Sequence, residues 1–117
     1  MMNAIDDVLE DAMNIQYKKG VLELCVLALL HQRDRYGYEV SELLSKTIEL
    51  ADGTVYPILR KLKTDGLVTT YLCEESGGPP RKYYSLTDLG RKTYAEDRAD
   101  YLNFAKNIES ILEETSK

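Results

Sequence analysis

The sequence of 117 residues has few of the residues from which several kinds of protein site are built. Its two cysteines are too few for a disulfide framework, which favours a reducing, cytoplasmic compartment. One histidine and two separated cysteines cannot form a metal site, and no cofactor is expected. The sequence also lacks a Gly-rich phosphate loop, a carboxylate pair and a Cys–His spacing, so it does not predict an enzyme.

Long hydrophobic runs are also missing. The most apolar stretch, residues 21–30, is shorter than the roughly 18 residues that a membrane-spanning helix needs. The first residues show no positive segment followed by an apolar one, so no secretory signal is expected. With 44% hydrophobic and 30% charged residues, the composition is that of one small globular domain.

The net charge of −5 conceals an uneven distribution of charge. Residues 1–16 carry four acids and no base, whereas residues 51–86 carry five bases and four acids. Between Gly53 and Thr64 there are three bases and no acid. Because salt screens charges beyond about 8–10 Å, a local basic patch can bind DNA on an acidic protein. The acidic total therefore does not exclude a nucleic-acid partner.

Hydrophobic spacing predicts a series of helices and one hairpin. Helices are expected over residues 4–13, 21–30 and 39–44, then from a capping residue at 52–54 to a glycine end at 65–66, and finally over 87–113. Residues 36–38 are predicted as a turn, and the alternation at 47–50 suggests a short strand. Residues 67–73 and 81–86 are predicted as strands joined by a Gly-Gly-Pro-Pro loop. The fold class is therefore mainly α with a small β-hairpin (α+β), in the order of a winged helix-turn-helix.

The last helix repeats its apolar residues at intervals of seven, which is typical of a coiled-coil seam. The first helix has a similar unpartnered stripe, and a winged domain needs neither of them, so a homodimer is predicted. The dimerisation residues would be Ile5, Val8, Leu9, Tyr101, Phe104, Ala105, Ile108, Ile111 and Leu112. The predicted division is an N-terminal dimerisation helix (1–16), a DNA-binding winged helix-turn-helix domain (17–87) and a C-terminal dimerisation helix (88–117).

Four segments are specific enough to indicate a family. They are Gly-Thr-Val-Tyr-Pro-Ile-Leu-Arg-Lys-Leu at 53–62, Asp-Gly-Leu-Val at 65–68, Gly-Pro-Pro-Arg-Lys-Tyr-Tyr-Ser-Leu-Thr at 78–87 and Tyr-Gly-Tyr-Glu at 36–39. In these segments the chain resembles the PadR family of bacterial transcriptional regulators, and its single last helix resembles the short-tailed subfamily. The resemblance implies a dimeric repressor, often released from its operator by a small molecule. A two-fold symmetric dimer in turn predicts a pseudo-palindromic operator.

The same resemblance implies which side chains contact DNA. They would be Thr54, Tyr56, Arg60, Lys61, Lys63, Arg81 and Lys82. Tyr56 lies off the apolar stripe of its helix, and its hydroxyl can donate to a phosphate. Spacing alone favours a solvated charged face for the helical bases. A winged helix that contacts only another protein is the alternative function.

The aromatic residues of the last helix also predict a pocket for a small-molecule effector. Tyr94, Tyr101 and Phe104 on the last helix, with Met13 on the first, predict a site for a flat aromatic compound at the dimer interface. The alternative is that these side chains simply fill the interface.

Overall fold

The computed structural model describes residues 20–74 and 77–115. The elements are α1 over residues 20–32, β1 (Arg35–Tyr36), α2 (Gly37–Ser45), α3 (Val55–Thr64), β2 (Val68–Cys73), β3 (Arg81–Leu86) and α4 (Asp88–Thr115). The strands form one antiparallel sheet in the order β1-β3-β2. This is the predicted α+β class: α2 and α3 form the helix-turn-helix, and the β2–β3 hairpin forms the wing. Residues 20–87 are called the winged domain below.

The core lies where α1, α2 and α3 meet one face of the sheet. Each helix contributes one stripe, because apolar residues three or four positions apart share a face. The most completely buried side chains are Leu27, Leu59, Leu62, Val26, Val40 and Val55. Tyr84 and Leu86 of β3 also belong to this core, since alternate residues of a strand point to the same side of the sheet. The apolar stripe predicted for α3 is therefore confirmed as a core face.

The third strand lies at a different place from the one predicted. Residues 47–50 form no strand but a turn after α2, in which the Ile48 N–H donates to the Leu44 carbonyl oxygen at 2.8 Å. The strand is instead Arg35–Tyr36, which lies between the helix predicted over 21–30 and the one predicted over 39–44 and overlaps the predicted turn at 36–38. Two residues are too few to produce an alternating pattern, and the pairing partner is the distant β3. The local sequence therefore carries no signal for β1.

Arg35 ties β1 to the two helices beside it. Its Nε donates to the Leu29 carbonyl oxygen at 2.9 Å, and its two Nη atoms donate to Glu39 at 3.0 Å and to Gln32 at 2.7 Å. Glu39 also pairs with Arg33. A buried guanidinium is tolerated here because its donors are satisfied.

The two ends of α3 differ in how well the sequence predicts them. At the start, the Thr54 hydroxyl donates to the Ala51 carbonyl oxygen at 2.7 Å rather than accepting a hydrogen bond from the first turn, so the predicted side-chain cap is wrong. At the end, Gly66 has a φ of 76°, and the Leu67 N–H donates to the Leu62 carbonyl oxygen at 2.9 Å. This is the predicted left-handed glycine end, and it leads the chain from α3 directly into β2.

α4 begins where the sequence predicts it. The Thr87 hydroxyl oxygen accepts a hydrogen bond from the Gly90 N–H at 3.0 Å, and Tyr94 packs against the core. From residue 95 to residue 114 the side chains are exposed, apart from the half-buried Ala105. Among the helices of residues 20–74 and 77–115, none has the length and apolarity required to cross a membrane.

Candidate nucleic-acid interface

α3 has one buried face and one exposed face. Val55, Leu59 and Leu62 are at most 1% exposed, whereas Tyr56 is 39% exposed. Arg60 is also exposed and lies one helical turn after Tyr56, on the same face. Two side chains of the type that contacts DNA therefore project together from the helix-turn-helix.

This exposed face of α3 forms one wall of a groove, here called the basic groove. The groove has a volume of about 430 Å³ and is lined by Tyr36, Gly37, Tyr38, Tyr56, Arg60, Arg81, Lys82 and Tyr84. Three of these side chains are basic and none is acidic. Four of the predicted DNA contacts meet here, namely Tyr56, Arg60, Arg81 and Lys82. The fold thus brings the third helix, the start of α2 and the wing to one surface.

Gly37 allows α2 and α3 to approach closely beside the groove. A Cβ atom at this position would lie 2.8 Å from Cε1 of Tyr56 and 3.6 Å from Cδ1 of Leu59. The Tyr56 ring therefore lies directly against the backbone of α2, which limits where its hydroxyl can point. Any larger residue at position 37 would displace this ring.

Arg81 is held by an aromatic ring. Its Cζ lies 4.6 Å from the centroid of the Tyr36 ring, within cation–π range. Arg81 forms no salt bridge within the described part of the chain. A ring orients a guanidinium without neutralising it, so the charge and the N–H donors remain available to a phosphate.

Lys61 is turned away from the basic groove. Its Nζ lies 3.1 Å from Oδ2 of Asp65 and 3.5 Å from Oε1 of Glu23 on α1. The hydrogen bond with Asp65 and the charge of Glu23 raise the pKa of Lys61. The structure therefore does not group Lys61 with Arg60, its neighbour in sequence.

Thr54 and Lys63 lie near the two ends of α3, outside the basic groove. Thr54 is half-buried, with its hydroxyl engaged by Ala51. Lys63 is exposed in the last turn of the helix. These two predicted contacts flank the groove instead of lining it.

Four groove residues were not predicted as site residues, namely Tyr36, Gly37, Tyr38 and Tyr84. Three of them form the Tyr-Gly-Tyr sequence at 36–38, for which the sequence predicts a turn, and Tyr84 lies in a segment that carries the family resemblance. A glycine between two aromatic residues at a helix start indicates a close approach of backbone and ring, and Gly37 makes one here. That signal becomes informative only when the partner of the glycine is known.

Acidic side chains collect in a separate groove between α1 and α4. Glu23, Asp97 and Asp100 line this groove, which has a volume of about 380 Å³ and shares no lining residue with the basic groove. Burial, followed by the charges of Asp100, Glu96 and Glu23, raises the pKa of Asp97. Among the described residues, these three acids therefore lie in a different groove from Arg60, Arg81 and Lys82.

α4 carries an exposed apolar face, here called the α4 stripe. Its members are Tyr101, Phe104, Ile108, Ile111 and Leu112, which are 38–61% exposed, together with the half-buried Ala105. Most of them form a cavity of about 450 Å³ with Val21 of α1. The six predicted dimerisation residues of α4 therefore share one face, whereas Ile5, Val8 and Leu9 lie outside the described residues.

The predicted effector residues are not all together. The ring centroid of Tyr94 lies 4.8 Å from that of His31, and Tyr94 packs against the core. Tyr101 and Phe104 instead line the cavity beside the α4 stripe. Met13 lies outside the described residues. The structure thus separates Tyr94 from the other two aromatic residues.

The protein family that matches this chain and the similar solved structures named below are all described as transcriptional regulators. The family described as "Transcriptional regulator PadR-like family" matches residues 26–96. The chain is similar to a PadR-like transcriptional regulator from Bacillus cereus, with 34% identity, 83% of this chain and 96% of that one covered, and a TM-score of 0.76. A Streptococcus transcriptional regulator has 34% identity, with coverage of 82% and 96% and a TM-score of 0.77. A PadR family regulator from Eggerthella lenta has 31% identity, with coverage of 94% and 96% and a TM-score of 0.71.

Proposed function

The chain belongs to the PadR-like family of transcriptional regulators, and we propose that it is a cytoplasmic repressor that binds a pseudo-palindromic DNA operator as a homodimer. The observation that supports this proposal is the basic groove, where side chains of α3 and of the wing meet without an acid. In a winged helix-turn-helix, the recognition helix enters the major groove and the hairpin reaches the flanking backbone.

We assign different roles to the residues of the groove. Arg60 reads a base edge, because it is exposed on the middle of α3 and because its fork of donors matches the acceptors of guanine. The Tyr56 hydroxyl donates to a phosphate. Arg81 and Lys82 bind phosphates beside the wing. Lys63 contacts the DNA backbone at one end of α3, and at the other end the Thr54 hydroxyl exchanges the Ala51 carbonyl oxygen for a phosphate oxygen. Lys61 instead pairs with Glu23 of α1 and with Asp65.

The experiment is footprinting on the DNA upstream of the gene and its neighbours, followed by titration of the recovered duplex. We expect Arg60→Ala to cost about 1–3 kcal/mol per half-site and to relax the base preference at one position. Lys82→Ala should weaken binding to all sequences alike. Lys106→Ala is the control, since it removes one positive charge from an exposed site on α4 outside the groove and should change affinity least.

Salt dependence is a second measurement on the same duplex. If Lys63, Arg81 and Lys82 each neutralise a phosphate in both protomers, the log–log slope of affinity against salt is roughly −5 at most. Lys82→Ala should reduce the magnitude of this slope by roughly 2 per dimer. An affinity that does not change with salt would contradict the assigned phosphate contacts.

The competing function is a winged helix that binds only another protein. It would leave Arg60 and Arg81 facing no anion, and the wild-type protein would ignore every duplex even at low salt. The described residues that line the basic groove include three bases and no acid, which favours DNA over such a partner.

The α4 stripe supports the homodimer. An apolar face of this kind is exposed in one chain, and a second copy placed by two-fold symmetry would cover it. Pairing through α4 also fixes the distance between the two recognition helices. This distance must match the spacing of the two half-sites in the operator.

We also propose that a flat aromatic compound releases the operator by binding beside the α4 stripe. Tyr101 and Phe104 line the cavity of about 450 Å³ there, and a ligand that favours one dimer arrangement by about 2 kcal/mol changes operator affinity roughly thirtyfold. Planar aromatic compounds are to be screened by thermal shift and by release of the operator duplex. Active compounds should lose their effect on a Tyr101→Ala dimer, and an unchanged effect would place the site elsewhere.

A further inference from the structure

We propose that Tyr36 is a positioning residue for DNA binding: its ring holds the Arg81 guanidinium at the rim of the basic groove, oriented for a backbone phosphate. This inference rests on the proposed function, because it concerns how the same groove binds DNA. Tyr36 acts through Arg81, so its contribution depends on the presence of that guanidinium.

The sheet fixes the ring of Tyr36 in place. Tyr36 pairs with Tyr83 of β3, and their ring centroids are 5.6 Å apart. Tyr83 in turn stacks on Tyr71 of β2, with 5.7 Å between centroids and 17° between the ring planes. The Tyr71 hydroxyl donates to Oδ2 of Asp34 at 2.7 Å, which joins the far end of the row to the residue before β1. Three rings on three strands thus form a rigid platform.

Arg81 lies on the same side of the sheet as this platform. It is two residues before Tyr83 on β3, and strand residues two apart point to the same side. As the first residue of β3, Arg81 directly follows the Gly-Pro-Pro loop, and it is exposed. An exposed arginine with no contact samples many rotamers, which DNA binding would have to restrict. The Tyr36 ring selects one arrangement before DNA arrives.

The ring also competes with nearby acids for Arg81. A second groove next to Arg81 and Tyr36 is lined by Arg33, Glu39, Glu42 and Leu43. Glu39 is already paired with two arginines, whereas Glu42 forms no salt bridge among the described residues. Pairing of Arg81 with Glu42 would neutralise the charge that a phosphate needs, whereas the cation–π contact leaves that charge intact.

The test is a double-mutant cycle of Tyr36 and Arg81. The affinity of each variant for the operator duplex found by footprinting is measured by titration. We expect Tyr36→Leu to weaken the affinity of the dimer about 5- to 30-fold, since one cation–π contact is lost in each protomer. Arg81→Ala should weaken it at least as much and reduce the magnitude of the salt slope by roughly 2 per dimer. In the Arg81→Ala background, Tyr36→Leu should add less than about a twofold change. Tyr36→Phe keeps the ring and should restore binding.

An equal loss from Tyr36→Leu with and without Arg81 would show that Tyr36 acts independently of Arg81, and would overturn the proposal. Pentafluorophenylalanine incorporated at position 36 provides a variant of nearly unchanged shape, in case Tyr36→Leu does not fold. Its ring face is no longer negative, so it should weaken binding as Tyr36→Leu does. Binding equal to that of Tyr36→Phe would also overturn the proposal. A wild-type protein that binds no duplex at low salt would instead refute the proposed function, and this inference with it.

Discussion

Gly90→Ala is expected to lower the free energy of unfolding by about 3 kcal/mol or more. A Cβ atom at position 90 would lie 2.0 Å from the Leu67 carbonyl oxygen and 3.0 Å from the carbonyl carbon, which are backbone atoms. The first turn of α4 would have to move away from Leu67. This movement would break the hydrogen bond of 3.0 Å that the Thr87 N–H donates to the Leu67 carbonyl oxygen. Helix propensity alone predicts that Gly90→Ala would raise the free energy of unfolding, because alanine is favoured over glycine within a helix by about 1 kcal/mol.

Thermal unfolding at one fixed protein concentration measures this effect. Gly90→Ala should lower the Tm by roughly 10–20 °C. Gly20→Ala is the matched control, because Gly20 is also helical and, beyond its own helix backbone and chain neighbours, no atom of the described residues lies within 4 Å of the added methyl group. The control should be neutral or stabilised by up to about 1 kcal/mol. A Gly90→Ala protein as stable as the wild type would contradict the packing of α4 on the Leu67 backbone.

Ile108→Glu is expected to convert the proposed homodimer into monomers and to weaken operator binding at least about 100-fold. Ile108 is part of the α4 stripe, and a carboxylate buried there against a second copy would lack a partner. A monomer engages one half-site at a time, so it loses the high effective concentration of the second recognition helix. The winged domain has its own core and should remain folded.

Light scattering and operator titration test this prediction together. The wild type should give twice the chain mass of 13.3 kDa, and Ile108→Glu should give the mass of one chain. Ser110→Glu adds the same charge on the opposite face of α4, where Ser110 is exposed, and should remain dimeric. A wild-type mass of 13.3 kDa, or an Ile108→Glu protein that stays dimeric, would show that the stripe is not the interface.

Local patterns predict most of the secondary structure. The stripe of α3 and its glycine end are both local features, since one depends on helical periodicity and the other on the left-handed φ of Gly66. The same is true of β2 and β3, whose residue types favour strands on either side of a Gly-Pro-Pro loop. β1 could not be predicted, because it depends on pairing with β3 and on the hydrogen bonds of Arg35.

The family and several of its candidate contacts also come from local sequence. Tyr56, Arg60, Arg81 and Lys82 lie in the segments that carry the resemblance, and the structure brings these four to one groove. Their roles in binding DNA remain predictions for the titrations above.

Residue type and spacing alone establish which helix faces are apolar and where positive charge accumulates along the chain. Which bases share a surface depends on how the helices and strands pack in three dimensions. Arg60 and Lys61 are neighbours in sequence, but a helix rotates successive side chains by about 100°, so Lys61 meets Glu23 of α1 while Arg60 faces the wing. Tyr36 and Arg81 are far apart in sequence, and they meet because β1 pairs with β3.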